Sequence, residues 1–298
     1  MTSNFWGQFV YDGAGNLVGG TLNQFTQTSG GVVLINLQNV ALPVTELAVA
    51  ILQNSNLNSL SAFNGADVIQ GSPYNDVLRS QGGEDVIYGG GGADILDGGT
   101  GADTVFGGLG DDRIFGGSQR SYLRGEEGDD ILVGGEDFDD LHGNTGNDTL
   151  EGRGGGDWVV GGKDQDLLYG GQGSDIVYGN LGADTCYGDD GNDLVRGGQQ
   201  NDILYGGAGD DWLSGDRDSD TISGGSGADI FHTFGDAGID RVLDFNRAEG
   251  DRVQLDPGTT YSVAQAGADT VISMGGGAQM TLVNVNMASL TEGWIFIQ

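Results

Sequence analysis

The 298-residue chain is short of bases, histidine, cysteine and proline. Lys and Arg number 11 against 44 Asp and Glu, and the formal net charge is −33. Nucleic acid binds through phosphates that need a basic surface, and anionic lipid needs the same, so the charge argues against both partners. A single cysteine, Cys186, excludes an internal disulfide framework. Prolines number 3 against 60 glycines, and glycine does not recur at every third residue, which excludes collagen. No apolar run approaches the ~20 residues of a membrane helix. The opening residues MTSNFWGQFV lack a basic segment and an apolar core, so a Sec-type leader is not expected. Hydrophobic residues are 37% of the chain. Low hydrophobicity with high charge ordinarily means disorder, but here the apolar residues are ordered along the chain.

What the chain has is a nine-residue period. Steps of nine from Asp67 land on Asp76, Asp85, Asp94, Asp103, Asp112, Ser121, Asp130, Asp139, Asp148, Asp157, Asp166, Asp175, Asp184, Asp193, Asp202, Asp211, Asp220 and Asp229. Ser121 is the one departure, and no insertion or deletion interrupts the series. Two residues after every mark the residue is apolar, from Ile69 and Leu78 through Cys186 to Phe231. Five residues before the mark stands Gly, except at Ala62 and Ser80. The unit is G-G-x-G-x-D-x-U-x, with U apolar.

The chemistry of this unit follows from its residues. Glycine adopts positive φ without a Cβ clash, so a six-residue loop can turn sharply and aim carbonyls inward. Aspartate is a short, hard oxygen ligand, and calcium takes six to eight oxygens from carboxylates and carbonyls. The D-x-U-x piece is a short strand with U on one face. If successive units turn opposite ways, two of them make a coil of 18 residues, stacked on the next at ~4.8 Å. Asp175 and Asp193 then lie on the same edge in adjacent coils. Two bare carboxylates ~5 Å apart in water repel by roughly 0.8 kcal/mol, and by more in a lower dielectric.

With this repeat, residues 62–232 resemble the RTX (repeats-in-toxin) family. The resemblance implies an all-β chain, a right-handed parallel β-roll with small terminal caps, and a calcium ion between successive loops. The candidate ligands are the 18 aspartates named above, from Asp67 to Asp229. About sixteen ions, roughly one per loop pair, would nearly cancel the net charge. The chain is therefore expected to be disordered without calcium and folded with it. At the loop Gly116–Ser121, which carries Arg120 and no carboxylate at its mark, ions are expected to be missing or weak. Non-glycine residues at the fourth loop position (Tyr74, Gln119, Asp137, Asp164, Gln200, Asp218) are expected to perturb their loops.

The ends differ from the middle. Residues 1–60 read as an N-terminal cap, with strands at Phe5–Val10 and Gly31–Leu37, turns at Asp12–Gly13 and Gly19–Gly20, and helix-like spacing over Leu42–Leu52. Residues 61–232 are the β-roll. Residues 233–298 read as a β-rich cap, with strands at Val242–Phe245, Asp251–Leu255, Thr270–Ile272, Met280–Val283 and Trp294–Ile297. The stretch IDRVLDFNRAEGDRVQL and the final EGWIFIQ are similar to the corresponding parts of serralysin-type secreted proteins. That similarity implies a C-terminal secretion signal, type I secretion machinery as a partner, and an extracellular or cell-surface location.

Cys186 stands at an apolar position and reads as a core thiol; His142 and His232 read as surface residues. Tyr169, Tyr187 and Tyr205 recur at 18 residues and should stack on one outer face. Such a face serves either cross-strand packing or self-association. There is no H-E-x-x-H zinc motif and no G-x-S-x-G nucleophile elbow. The expectation is a secreted, non-enzymatic calcium-binding protein with a structural, adhesive, surface-layer or matrix role. The alternatives are an export or folding module, or a small secreted hydrolase with its site in the terminal caps. A membrane-acting toxin ranks third, since the apolar and acylated-lysine domains of RTX toxins have no counterpart here.

Overall fold

Each nonapeptide supplies one strand, because its apolar residue and that residue's two neighbours alternate across a pleat and the glycine-rich loop reverses the chain at once. The computed structural model describes residues 65–298 in full. Before them it describes the backbone of five strands: Thr2–Tyr11, Leu17–Ser29, Val32–Val40, Val49–Ile51 and Leu60–Ser61. The chain forms two compact units, Met1–Gly135 and Glu136–Gln298.

In the first unit, alternate strands enter two parallel sheets. One holds Val49–Ile51, Val68–Gln70, Val86–Gly91, Thr104–Leu109 and Tyr122–Glu127. The other holds Leu60–Ser61, Val77–Arg79, Ile95–Asp97, Arg113–Phe115 and Ile131–Val133. The first three strands of the chain form a separate antiparallel sheet. In the second unit the same alternation places Asp140–Thr145, Trp158–Lys163, Ile176–Leu181, Leu194–Gln199, Trp212–Asp216 and Ile230–Thr233 in one sheet. Thr149–Gly154, Leu167–Gln172, Thr185–Asp190, Ile203–Ala208 and Thr221–Ser226 fill the other. Partners stand 18 residues apart, as Ile176 does from Leu194. The architecture is the expected parallel β-roll with 18-residue coils.

The core is thin and regular. Every apolar residue two past the mark, from Leu78 to Phe231, has no exposed surface, and Cys186 is among them. Both sheets run on beyond residue 232. Arg252–Leu255 and then Ile295–Ile297 extend one, while Ile239–Val242 and Gln279–Leu282 extend the other, followed by the antiparallel strands Asp269–Met274 and Tyr261–Ala266. Val242, Val253, Met280 and Leu282 continue the buried row.

Several local expectations are corrected. Over residues 42–52, where helical spacing is read, Val49–Ile51 is a strand paired with Val68–Gln70, since pairing with the first coil outweighs local periodicity. The rest of that stretch, and the turn at Asp12–Gly13, lie outside the described residues. Gly19 and Gly20, read as a turn, are inside a strand opposite Val10 and Phe9. In the C-terminal segment the strand read at Val242–Phe245 is Ile239–Val242, and Tyr261–Ala266 is a strand that the apolar pattern misses. Asp164, Gln200 and Asp218 take φ of 77°, 77° and 76°. These loops thus keep the glycine geometry despite their side chains, at a strain of roughly 1–3 kcal/mol each.

The buried thiol gives a direct probe of this packing. Burial, with Asp184 and Asp202 nearby, raises the Cys186 pKa well above its usual value. In the folded chain a disulfide reagent should label Cys186 at least a hundredfold more slowly than in urea. Equal rates would show that the row of apolar side chains is open to solvent.

Candidate metal centre

The aspartates at the marks sit where loop meets strand, and none is more than 4% exposed. At most marks the carboxylate uses Oδ1 to reach back one coil; Asp76 instead accepts through Oδ2 from the Ser72 N–H and hydroxyl of its own loop. The Asp166 N–H donates to Asp184 Oδ1 at 2.8 Å, Asp184 N–H to Asp202 Oδ1 at 2.8 Å, and Asp175 N–H to Asp193 Oδ1 at 2.9 Å. Where the preceding loop residue is Asn or Asp, its side chain reaches the opposite way. Asn192 Oδ1 accepts Asp210 N–H and Asn201 Oδ1 accepts Ser219 N–H, both at 2.9 Å. Adjacent coils are thus clipped in both directions.

The second oxygen is different. Among the described residues, Oδ2 has no hydrogen-bond donor at Asp85, Asp94, Asp103, Asp112, Asp157, Asp166, Asp175, Asp184, Asp193, Asp202, Asp211, Asp220 and Asp229. Except at Asp85, where Ser80 takes the place, it lies against the glycine five residues earlier. A Cβ on Gly170 would stand 2.6 Å from Asp175 Oδ2 and 2.7 Å from the Gly188 carbonyl oxygen of the next coil. At Gly98 the corresponding distances, to Asp103 Oδ2 and Gly116 O, are both 2.7 Å. Oxygens from successive coils therefore converge on a space that only glycine leaves open. The arginines that form ion pairs with Asp97, Glu151 and Asp216 (Arg79, Arg153 and Arg196) do so away from these oxygens.

Burial is the main influence on these carboxyls. The N–H donated to Oδ1 opposes it, and neighbouring aspartates add to it in most cases. It lifts Asp112, Asp184, Asp193 and Asp229 to about 6, Asp94, Asp103, Asp157 and Asp211 to about 7, and Asp166 and Asp202 to about 8. Keeping Asp94 ionised in place costs about 4 kcal/mol relative to water. A few such carboxylates would consume the ~5–15 kcal/mol by which a whole domain is stable. Burial and like charge thus both work against a bare, fully ionised stack at neutral pH. Hard oxygens from carboxylates and backbone carbonyls suit calcium. Among the described residues no three His, Cys or acidic side chains converge as a self-contained cage.

The irregular registers show what the regular ones lack. Ser121 Oγ lies against Gly116, where an aspartate would be, and donates to Gln119 O at 3.0 Å, so this mark adds no negative charge. Ser80 Oγ donates to Gly98 O at 2.5 Å, filling a carbonyl that elsewhere faces glycine. Beyond the repeat the row of carboxylates continues at Asp240 and Asp251, which accept the N–H of Asp220 at 3.2 Å and of Asp229 at 3.1 Å. Both of their remaining oxygens have protein donors, the Thr233 hydroxyl and the Asn246 N–H. The stack thus ends on protein hydrogen bonds. Period counting misses these two residues because the step lengthens to 20 and 22, but the D-x-U signature persists in Asp240-Arg-Val242 and Asp251-Arg-Val253.

A second polar cluster lies on the outside of the second unit. Ser214 Oγ is 3.2 Å from His232 Nδ1, and His232 Nε2 is 3.1 Å from Asp256 Oδ1. The order resembles a nucleophile–base–acid relay. However, Ser214 is fully buried and donates to Asp216 Oδ1 at 2.7 Å, so its oxygen is closed to a substrate. The cluster ties the last coil to Asp256. His232, read as a surface residue, is packed against Trp212 with ring centroids 4.9 Å apart.

A family model, the RTX calcium-binding nonapeptide repeat, matches residues 61–96, 88–123, 124–159, 151–186, 187–222, 196–231 and 205–242. The chain belongs to the RTX calcium-binding repeat family. No curated protein matches this RTX chain. Among solved structures it is similar to the extracellular lipase LipA of Serratia marcescens, at 16% identity and a TM-score of 0.29, over 84% of this chain and 42% of the lipase. It is also similar to the AlgE6R3 subunit of the Azotobacter vinelandii mannuronan C5-epimerase, at 30% identity and a TM-score of 0.28, over 46% of this chain and 81% of that one. The RTX chain thus spans less than half the length of the lipase.

The raised carboxyl pKa values fix the sign of the pH response. Groups whose pKa is about 6–8 when folded and 3.8 otherwise favour the folded state below pH 4. That contribution is lost as pH rises through 6–8. In chelator, the chain should therefore gain β-sheet circular dichroism as the pH falls from 8 towards 5, and lose it on return. A metal-free chain equally ordered at both ends of that range would contradict the assignment.

Proposed function

We propose that this chain is a secreted protein whose fold is set by calcium and whose role is structural or adhesive, at a cell surface or in a matrix, rather than catalytic. The observation that carries the reading is the row of buried carboxylate oxygens that lack a donor, repeated coil after coil. Calcium would be held by the mark aspartates, of which Asp94, Asp112, Asp157, Asp175, Asp193 and Asp211 are representative, together with carbonyls of adjacent loops. Bound there, it supplies the positive charge that a chain of net charge −33 lacks. Extracellular calcium modules typically bind at ~10⁻⁴ to 10⁻³ M, so folding would await arrival outside the cell. A chain kept open until then suits passage through type I secretion machinery. No helix among the described residues is long and apolar enough to cross a membrane.

Calcium titration of the chelated full chain, followed by circular dichroism and sedimentation together, tests this. Sheet signal and compaction should rise together through one steep transition at submillimolar to millimolar calcium. A compact, ordered chain after exhaustive EGTA dialysis would overturn it.

Ion counting separates the ligands from the residues that end the row. Asp184→Asn keeps an acceptor for the Asp166 N–H while removing the charge on Oδ2. It should lower the calcium stoichiometry and raise the midpoint several-fold. Asp251→Asn should leave the stoichiometry unchanged, because both Asp251 oxygens already have protein donors.

A further inference from the structure

We propose that the second unit carries, on its outer face, a binding groove for a small planar organic cation at the open end of the tyrosine stack. The rings of Tyr169, Tyr187 and Tyr205 lie parallel, with centroids 4.9 and 4.8 Å apart and planes within 8°. Strand register places Glu151, not a ring, beside Tyr169 in the preceding coil. One face of the Tyr169 ring is therefore uncovered by any aromatic neighbour. A groove of about 380 Å³ opens there, with Thr149, Leu167 and Tyr169 as its apolar wall and Glu151, Asp189 and Arg153 at its rim.

The rim selects for charge. Glu151 and Asp189 outnumber Arg153 in a molecule that is already strongly acidic, so cations concentrate at the groove. The Arg153–Glu151 contact is 3.8 Å long and about half exposed on both sides. Such an exposed pair holds weakly, so an incoming cation displaces it readily. The scaffold favours the same partner elsewhere. Arg124 lies over the Tyr122 ring at 3.4 Å, Arg252 over Phe296 at 3.9 Å and Arg196 over Tyr178 at 5.1 Å. Tyr169 has no such cover, and a flat cation would add a fourth layer to the stack, with its charge against Glu151 and with Asp189, at the far rim beside Gly171, adding to the field of the groove.

The probe is the benzothiazolium dye thioflavin T, titrated by fluorescence anisotropy into the calcium-saturated full chain. Saturable one-site binding is expected. It should weaken at least tenfold in the double variant Glu151→Gln, Asp189→Asn and in Tyr169→Leu, while Tyr88→Leu, whose ring stacks on Phe106 with centroids 5.1 Å apart in the first unit, leaves it unchanged. Each variant's circular dichroism spectrum is matched to the parent's before binding is compared. If Tyr169→Leu does not fold, the charge variant alone decides. Absence of saturable binding, or affinity unaltered by the charge variant, overturns the proposal. Neither result bears on the calcium titration, so the two readings fail separately.

Discussion

The fold turns on a carboxylate that is only half satisfied. At Asp94, Asp112, Asp175, Asp184, Asp202 and others like them, one oxygen takes an amide proton from the coil before it and the other is buried without a donor. The first contact sets the register between coils at 18 residues. The second makes the set register unstable on its own terms, because desolvation and like charge both work against ionised groups packed in a row. An external positive charge, or protons, would relieve both effects. The apolar contribution is one fully buried side chain per nonapeptide, a narrow strip beside the amount of backbone that has to be ordered.

Much of this is legible in the sequence because nine residues is a short period and a slip of one residue would turn every apolar side chain outward. Asp at the mark, U two residues later and Gly five earlier together specify strand, core and loop, and the tyrosine stack follows from the same counting. Other features obey contacts that no period reveals. Asp240 and Asp251 keep their chemistry while their spacing stretches. Val49–Ile51 follows its strand partner rather than its own hydrophobic spacing. The forward-reaching side chains of Asn192 and Asn201 occupy a position whose residue type varies, so they are evident only from geometry.

The departures from the repeat have separate physical meanings. Ser121 removes charge and satisfies itself locally, while Ser80 donates to a carbonyl of the next coil. Asp164, Gln200 and Asp218 retain a backbone conformation that suits glycine, and bear the strain. At the C-terminal end, Thr233 and Asn246 do with protein donors what is left undone at the regular marks, so the row of carboxylates closes without a further ion.

The two-way clipping of coils bears on how such a chain changes length. Regular junctions share the mark aspartate that reaches back, and those with Asn or Asp before the mark add a side chain that reaches forward; both contacts involve only nearest neighbours. Duplicating or excising 18 residues from the regular stretch recreates a junction already present, with no new surface to invent. Gene-level slippage in steps of one coil is therefore structurally silent, whereas a nine-residue slip transfers every downstream strand to the opposite sheet and mismatches the closing segment.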